Sequence, residues 1–324
     1  MDSESLLSGI KNTMETTISK IVFLIKNRTF LKYLFRNKNA LSKAKTPEEY
    51  ESIVTKYTFN YRFNYKEPRT FNEHLVWLKL YYRNDLWNKC ADKLAAKRFL
   101  IEKGFGKYVP KTLKEYDSTS DICLQELPTD FVIKTNHDSG TVFICDKKNT
   151  DFSVIFNKIE ESMKKQYSSL SNEWVYEKII PKIFVEEKLV SNDGKDLVDY
   201  KFFLFNGKFG FGFVGQNRYK DVKFTVFDRN FNFINVDYIH LRPRKKNAPQ
   251  KPKCWDEMLN IAEAVGTYFD FVRVDMYVTS QGPKIGELTF FSQSGHGPFT
   301  KKKYDFEFGK LFNNIKEIDF SSTK

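Results

Sequence analysis

The chain has 324 residues, of which 41% are hydrophobic and 29% charged, and its formal net charge at pH 7 is +12. This composition excludes a disordered or fibrous chain and indicates a soluble globular protein with one large domain or two to three subdomains. The positive surplus favours an anionic partner: a nucleotide, an acidic polysaccharide, an anionic lipid or a nucleic acid. It does not choose among them.

The cysteines lie far apart in the sequence, so neither a zinc site nor a disulfide framework is indicated. A reducing cytoplasm is therefore the expected compartment. At the amino terminus acidic residues precede any apolar core, so no signal peptide is predicted. The cysteines are Cys90, Cys123, Cys145 and Cys254.

Residues 1–66 are predicted to form a basic, helical extension. The longest apolar run within 18–35, Ile21–Ile25, is far too short to span a bilayer. One interpretation is an amphipathic helix that lies on an anionic membrane surface. The other is a helix packed on the body of the protein with its lysines in water. The basic residues of this stretch are Lys20, Lys26, Arg28, Lys32 and Arg36.

After this extension the pattern predicts helices first and a sheet-rich region later. Thr70 is a good N-cap with Glu73 three residues on, which predicts a helix that begins there. Helices followed by strands indicate an α+β architecture with subdomains. The further predicted helices are 87–100, 151–167 and 255–269, and the strands occupy 130–146 and most of 183–291.

A small polar loop separates two predicted strands. Phe131–Lys134 is typical of a buried strand that ends in a lysine, and a second strand begins at Val142. The loop between them, 135–141, could wrap phosphate oxygens with backbone N–H groups, with the charge of Lys134 beside them. The alternative is an ordinary hairpin whose lysine reaches water.

Two later strands carry charges at unusual places. The strand that begins at Ile183 ends in Glu186 and Glu187. The next one places Lys201 among aromatic and aliphatic residues, where a lysine is costly unless it points into a polar cleft. We therefore expect Lys201 to line such a cleft.

The last pair of strands predicts a metal site. Residues 271–277 and 285–289 alternate with a period of two, and the turn between them predicts a hairpin. Arg273 and Asp275 share one face of the first strand, and Asp275 is expected to lie opposite Glu287. Because facing carboxylates repel, a bridging Mg²⁺ would explain the arrangement. The alternative is a solvated strand face with scattered charges.

These segments follow one another in an order that resembles the TupA-like branch of the ATP-grasp superfamily. The resemblance runs from about Pro68 to Gly309 and implies an α+β ATP-grasp fold, in which two α+β subdomains clasp ATP. The implied divisions are 1–66 as the helical extension, 67–130 as the start of the ATP-grasp region, 131–190 as the small subdomain and 191–324 as the large one. The strings that carry the resemblance are Thr70-Phe-Asn-Glu, Trp77-Leu-Lys-Leu-Tyr, Ala91-Asp-Lys, Phe131-Val-Ile-Lys-Thr-Asn-His-Asp-Ser-Gly, Val185-Glu-Glu, Asp199-Tyr-Lys-Phe-Phe, Phe271-Val-Arg-Val-Asp and Gly286-Glu-Leu-Thr-Phe.

The resemblance also implies how ATP is bound. Lys93 and Lys134 are similar to the two lysines that contact the ATP phosphates, and Lys201 is similar to a strand lysine that faces the nucleotide. Glu186 and Glu187 resemble the segment that holds adenine and ribose. The residues that resemble the loop closing over the triphosphate are Asp138, Ser139, Gly140 and Thr141.

The implied catalytic and metal residues lie mostly in the last hairpin. Arg273 is similar to the arginine that stabilises the transferred phosphate and the acyl intermediate, with Lys201 as a second catalytic cation. Asp275 and Glu287 resemble Mg²⁺ ligands. Thr289 stands where the superfamily commonly has asparagine, and a hydroxyl is the weaker ligand. His137 is expected either to touch phosphate or the acid substrate, or to be an inert turn residue.

The resemblance implies an ATP-dependent carboxylate–amine ligase that acts through an acyl phosphate. Its substrates would be ATP with Mg²⁺, an amino acid or small amine, and a uronic acid of a capsular or other cell-surface polysaccharide. The expected location is the cytoplasm, with the basic stretch 18–36 as the candidate for peripheral contact with the inner face of the cytoplasmic membrane, and no nucleic acid is expected as a partner. A glycosyltransferase is the alternative, although the sequence lacks the Asp-x-Asp motif usual for a nucleotide-sugar site. A non-catalytic binding protein would explain the charge but not the carboxylate hairpin.

Overall fold

The computed structural model describes residues 43–59, 61–165, 172–194, 196–216, 223–239, 249–315 and 318–320. The chain divides into two compact units, Met1–Phe63 and Asn64–Lys324. In the first unit, helix α1 (Pro47–Thr58) begins after Thr46, whose hydroxyl accepts a hydrogen bond from the backbone N–H of Glu49 at 3.2 Å. The basic stretch 18–36 lies outside the described residues.

The second unit contains six described α-helices. The capping box of Thr70 and Glu73 is present at the start of α2, as the sequence predicts. No helix among the described residues is long and apolar enough to cross a membrane. The helices are α2 (Phe71–Tyr81), α3 (Asp85–Ala91), α4 (Lys93–Leu100), α5 (Phe152–Met163), α6 (Trp255–Gly266) and α7 (Lys302–Gly309).

The helix predicted over 87–100 is wrong in one respect, because two helices occupy it. Asp92 has an extended backbone (φ −70°, ψ 117°), and its carboxylate accepts hydrogen bonds from the N–H groups of Leu94 and Ala95. A side chain that caps the next helix competes with continuation of the previous one. The break at Asp92 makes Lys93 the first residue of α4.

Four antiparallel strands form the first sheet, in the spatial order β1-β4-β2-β3. One face of the sheet is apolar: Phe131, Ile133 and Val185 cluster there with Ile159 of α5. The opposite face carries Lys134 and Glu186, because side chains alternate along a strand. The strands are β1 (Thr112–Tyr116), which the sequence analysis did not predict, β2 (Asp130–Thr135), β3 (Val142–Asp146) and β4 (Ile183–Glu187).

Five antiparallel strands form the second sheet, in the order β7-β6-β5-β8-β9. Helices cover both of its faces: Phe202 packs on Trp255 of α6 at 5.3 Å between ring centroids, and Phe203 packs on Phe71 of α2 at 5.4 Å. Many of the chain's phenylalanines are therefore core residues. The strands are β5 (Asp199–Phe205), β6 (Lys208–Gln216), β7 (Lys223–Phe227), β8 (Phe271–Thr279) and β9 (Gly282–Thr289). Two sheets and their helices confirm the predicted α+β class.

Candidate active site

A cavity of about 410 Å³ opens on the charged face of the first sheet. Its walls include Ile144 and Val190, which are 55% and 51% exposed although they are large and apolar. Lys134 and Glu186 line the same cavity, and Tyr277 of the second sheet completes it. The volume is in the range of small-molecule sites, about 300–1,000 Å³. Apolar walls with a charged end suit a flat ring that carries a polar or anionic group.

Lysines surround Glu186 at that charged end. The Nζ atom of Lys97 lies 2.8 Å from one carboxylate oxygen of Glu186, and Lys134 forms an ion pair with the other oxygen. Lys93 and Glu287 join them in lining a smaller adjoining pocket. The sequence analysis missed Lys97, and the signal was its position four residues after Lys93, which puts both on one side of α4.

Burial disfavours the charged form of two lysines in this cluster. Burial lowers the pKa of Lys97 and of Lys93 below the usual range, and nearby carboxylates only partly oppose the effect. Burial alone would raise the pKa of Glu186, but Lys134 and Lys97 lower it overall. Glu186 therefore stays ionised between two cations. A bound polyanion would favour the positively charged form of Lys93 and Lys97.

Hydrogen bonds at the end of β2 fix the position of Lys93. The backbone N–H of Lys93 donates to the carbonyl of Asn136 at 3.1 Å. The Asn136 amide in turn donates to the carboxylate of Asp92 at 2.9 Å and to the carbonyl of Ile180 at 3.1 Å. The Nζ atom of Lys93 donates to the carbonyls of Thr135 and Asp138. Asn136, which sequence reasoning did not single out, thus ties α4 to the loop.

Asp138 holds the predicted phosphate loop together. Its carboxylate accepts hydrogen bonds from the hydroxyls of Thr135 and Thr141 and, at 2.6 Å, from Ser162 of α5. Burial would raise the pKa of Asp138, but these three hydroxyls lower it overall. Ser139 and Gly140 lie exposed at the tip. In this structure Asp138 supports the loop, and the tip is the part open to a ligand.

His137 is buried under the loop. Its Nε2 atom lies 3.1 Å from the backbone carbonyl of Ser162, so this nitrogen carries the proton and donates. Burial lowers the pKa of His137. The ring thus links the loop to α5, and its predicted contact with a substrate stays a prediction.

Glu187 bonds to the backbone beside β1. Its carboxylate accepts a hydrogen bond from the N–H of Lys111 at 2.8 Å, and its own N–H donates to the Lys111 carbonyl at 3.0 Å. Glu187 also lines the larger cavity. Its predicted contact with ribose stays a prediction.

The β8–β9 hairpin places Asp275 directly opposite Glu287, as the sequence predicts. A bulge in β9 produces this pairing. Thr279 pairs with Gly282 at the turn, and the pairing then shifts by one residue between Asp275 and Met276, which leaves Gly286 as an extra residue. Without this bulge Asp275 would face Gly286, and the side chain of Glu287 would lie on the other face of the sheet.

Asp275 is held by two cations. The Nε and Nη2 atoms of Arg273 lie 2.6 and 2.8 Å from its two carboxylate oxygens. Lys201, opposite Asp275 on β5, forms an ion pair with it and lies 2.7 Å from the carboxylate of Asp199. Burial would raise the pKa of Asp275 and lower that of Arg273, but their mutual attraction reverses both shifts. Asp275 and Arg273 therefore stay charged, and Lys201 lies in the polar setting expected for it.

Glu287 is half-buried, and no hydrogen bond or ion pair to it occurs among the described residues. Asp275, whose oxygens can accept further contacts, lies opposite. Two carboxylates suit Mg²⁺, which commonly takes one or two of them together with substrate phosphates. In the described part of the chain no group of three or more His, Cys, Asp or Glu side chains could hold a metal alone. The hydroxyl of Thr289 accepts a hydrogen bond from Arg273 at 2.9 Å, so its role as a metal ligand stays a prediction.

The other histidines are placed as follows. His74 is buried, donates from Nδ1 to the Thr70 carbonyl at 2.8 Å and stacks on Phe312 at 4.4 Å, as befits a structural residue. His296 is buried in the segment that follows β9. His240 lies outside the described residues.

Residues 73–313 match the model of the TupA-like ATP-grasp family. The chain belongs to this family. The expected resemblance is thereby confirmed, and with it the predicted ATP-grasp fold. A comparison with curated protein sequences gave no match.

Several solved structures to which this chain is similar, at low identity, are described as ligases. A D-alanine–D-alanine ligase from Bacillus anthracis, complexed with ATP, is 17% identical, with 71% of this chain and 64% of that one covered and a TM-score of 0.38. A D-alanine–D-alanine ligase from Helicobacter pylori is 14% identical, with 76% and 68% covered and a TM-score of 0.39. An L-amino acid ligase from Bacillus licheniformis is 12% identical, with 64% and 44% covered and a TM-score of 0.38. The present chain thus spans about two thirds of the first of these proteins and less than half of the last.

Proposed function

We propose that this protein is an ATP-dependent carboxylate–amine ligase that acts through an acyl phosphate. The observation that carries the proposal is the continuity of the site. An apolar cavity leads past Lys134 and Glu186 to a pocket shared by Lys93, Lys97 and the half-buried carboxylate of Glu287. Such an order suits the base, the phosphates and the metal of MgATP in turn.

In this proposal adenine occupies the larger cavity, between Ile144 and the segment that includes Val190. The phosphates lie against Lys93, Lys97 and Lys134, where a bound anion would offset the burial that lowers the pKa of Lys93 and of Lys97. Asp275 and Glu287 would hold Mg²⁺, which when bound would help to neutralise the charge of the phosphates. The exposed tip at Ser139 and Gly140 closes over the triphosphate.

The reaction has two steps. The substrate carboxylate attacks the γ-phosphorus of ATP, so that an acyl phosphate forms and ADP leaves. The amine then attacks the acyl carbon, inorganic phosphate leaves, and the amine loses a proton as the amide forms. The protein's part is to position the reactants and to neutralise charge on the transferred group, and we assign the second role to Arg273 and Lys201. A closed loop would keep water from the acyl phosphate.

The acid is proposed to be a uronic acid of a capsular or other cell-surface polysaccharide, and the amine an amino acid or similar small amine. The net charge of +12 suits an anionic glycan, which is the substrate class implied by the family resemblance. We also propose that the enzyme works in the cytoplasm, with residues 18–36 in peripheral contact with the inner face of the cytoplasmic membrane.

The test is ADP release from MgATP across a panel of uronic acids and amines. Release that requires both an acid and an amine, together with an amide product of the expected mass, supports the ligase. Release of UDP from a UDP-sugar, with no ADP from any acid–amine pair, would instead establish a glycosyltransferase. The matched control is Glu287→Gln, which keeps the shape of the side chain but removes its charge.

A further inference from the structure

Four of the five N–H donors of Arg273 form hydrogen bonds to described side chains. A guanidinium has five N–H donors. Nε and one Nη2 donor bind Asp275, the second Nη2 donor binds Thr289, and one Nη1 donor binds the hydroxyl of Ser292 at 3.1 Å. Within the described residues this leaves one donor, and Nη1 carries it.

Ser292 is the contact that fixes this nitrogen. Its hydroxyl accepts from Nη1 and also lies 3.2 Å from the hydroxyl of Tyr238, where either oxygen could be the donor. Tyr238 is completely buried, and burial raises its pKa to about 12, so the phenol stays neutral. Gly297 packs so close that a Cβ atom there would lie 2.6 Å from the Tyr238 oxygen, which limits movement of the phenol.

The backbone around Ser292 is held in an uncommon conformation. The next two residues, Gln293 and Ser294, have φ angles of +52° and +55° although neither is glycine. Buried Lys79 of α2 donates to the carbonyl of Ser294 at 2.8 Å. Strained backbone that packing maintains is a common feature of functional sites. Here it sets the start of the turn, and hence Ser292, beside Arg273.

We propose that Ser292 and Tyr238 are positioning residues for the phosphoryl-transfer step. Tyr238 holds the Ser292 hydroxyl, and Ser292 holds Nη1 of Arg273, whose remaining N–H donates to the transferred phosphoryl group. The inference rests on the proposed function, because it assigns Arg273 to that group. In addition, binding of the transition state depends on the hydroxyls of Ser292 and Tyr238, which touch neither ATP nor metal.

The experiment uses MgADP with aluminium fluoride, which mimics the phosphoryl group in transfer and needs neither acid nor amine. The affinity of the full-length protein for MgADP is measured by calorimetry with and without aluminium fluoride. For the wild type we expect a clear gain in affinity. Ser292→Ala should lose about 10-fold or more of that gain, and Tyr238→Phe a smaller part, since small misplacements near the reacting atoms cost up to ~100-fold. Affinity for MgADP alone should stay unchanged, because ground-state phosphate binding does not use this donor.

Three further proteins complete the test. Ser292→Thr keeps the hydroxyl and should retain the gain, and Arg273→Ala should abolish it. Tyr200→Phe removes a phenolic hydroxyl from another buried tyrosine and should behave like the wild type. If aluminium fluoride raises the MgADP affinity of Ser292→Ala and Tyr238→Phe as much as that of the wild type, the positioning role is wrong and the proposed function stands. If the wild type does not bind MgADP, or gains nothing from aluminium fluoride, the proposed phosphoryl transfer itself is wrong and the positioning role falls with it.

Discussion

Asp275 and Glu287 face each other across the β8–β9 hairpin. Asp275 forms hydrogen bonds and ion pairs with described residues, whereas Glu287 forms neither with any of them. The bulge at Gly286 brings them together, and a Cβ atom at Gly286 would lie 2.4 Å from the ring of Tyr277. The two carboxylates are thus partners in the strand pairing. Loss of the Asp275 carboxylate would break bonded contacts, whereas loss of the Glu287 carboxylate would not. That difference separates a role in metal binding from a role in protein stability.

Glu287→Gln is expected to abolish ATP turnover with little change in the melting temperature, because the Glu287 carboxylate forms no hydrogen bond or ion pair among the described residues, and only its longer-range attraction to Lys93 and Arg273 is lost. Asp275→Asn should also abolish turnover, but at a cost to stability on the order of 3 kcal/mol, since it leaves buried Arg273 without its counter-charge. Mg²⁺ titration of ATP binding should show a weakened metal response in both. Near-normal turnover in Glu287→Gln would rule out the metal assignment.

Lys134→Ala and Arg273→Ala should differ in kind. Lys134 lines the larger cavity and is proposed to meet phosphate in the ground state, so its loss should raise the KM for ATP. Arg273 is proposed to meet charge that develops during transfer, so its loss should lower kcat, by roughly 100-fold or more. Steady-state kinetics at varied ATP measures both. Equal effects on KM alone would contradict this division of roles.

Glu186→Gln should destabilise the fold at pH 7 by on the order of 3 kcal/mol, because it leaves Lys97 and Lys134 without their carboxylate. The pKa of Glu186 is lowered from 4.5, so its stabilising contribution is present above about pH 4.5 and is lost as the pH falls further. Urea unfolding at pH 7 and pH 3.5 should therefore show a difference from wild type that shrinks in acid.

The control for that measurement is Asp130→Asn. Asp130 pairs with Lys188 at 2.8 Å on the same sheet, but the two side chains are 48% and 38% exposed. An exposed pair contributes about 0–1 kcal/mol. If Asp130→Asn lowers the free energy of unfolding as much as Glu186→Gln does, burial of the lysine cluster does not explain the effect of Glu186→Gln.

The stability of the fold should decline between pH 7 and pH 5 partly through His74. Burial lowers the pKa of His74 from 6.5 to about 4, so the unfolded chain takes up a proton that the folded chain does not. Stability is then complete above about pH 6.5 and falls by about 1.4 kcal/mol per pH unit below it. His74→Gln should flatten this dependence in urea unfolding. Burial shifts the pKa of His137 the same way, so the slope should diminish rather than vanish.

Residues 18–36 are proposed to give reversible binding to anionic membranes. Each lysine or arginine near such a surface contributes on the order of 1 kcal/mol, so the binding should be sensitive to salt. Full-length protein should sediment with anionic liposomes at low salt and remain in solution with neutral ones. Deletion of residues 1–40 should abolish sedimentation, and unchanged binding after the deletion would refute the proposal.

The sequence by itself determined the features that depend on neighbours along the chain. The capping box of Thr70 and Glu73 needs residues only three apart. Alternation along β8 put Arg273 and Asp275 on one face, and the turn chemistry after it predicted the hairpin. The motif strings identified the family. Local periodicity and turn preference are properties of short segments, which is why they can be predicted from the sequence.

Only the tertiary structure decided which charges meet. Lys97 and Glu186 are 89 positions apart, and the packing of α4 against the first sheet joins them. Asp138 supports the loop because Ser162 of α5 lies beside it. Ser292 reaches Arg273 because a turn after β9 folds back on β8. Such contacts depend on strand register and helix packing, which the whole chain sets at once, so no short segment encodes them.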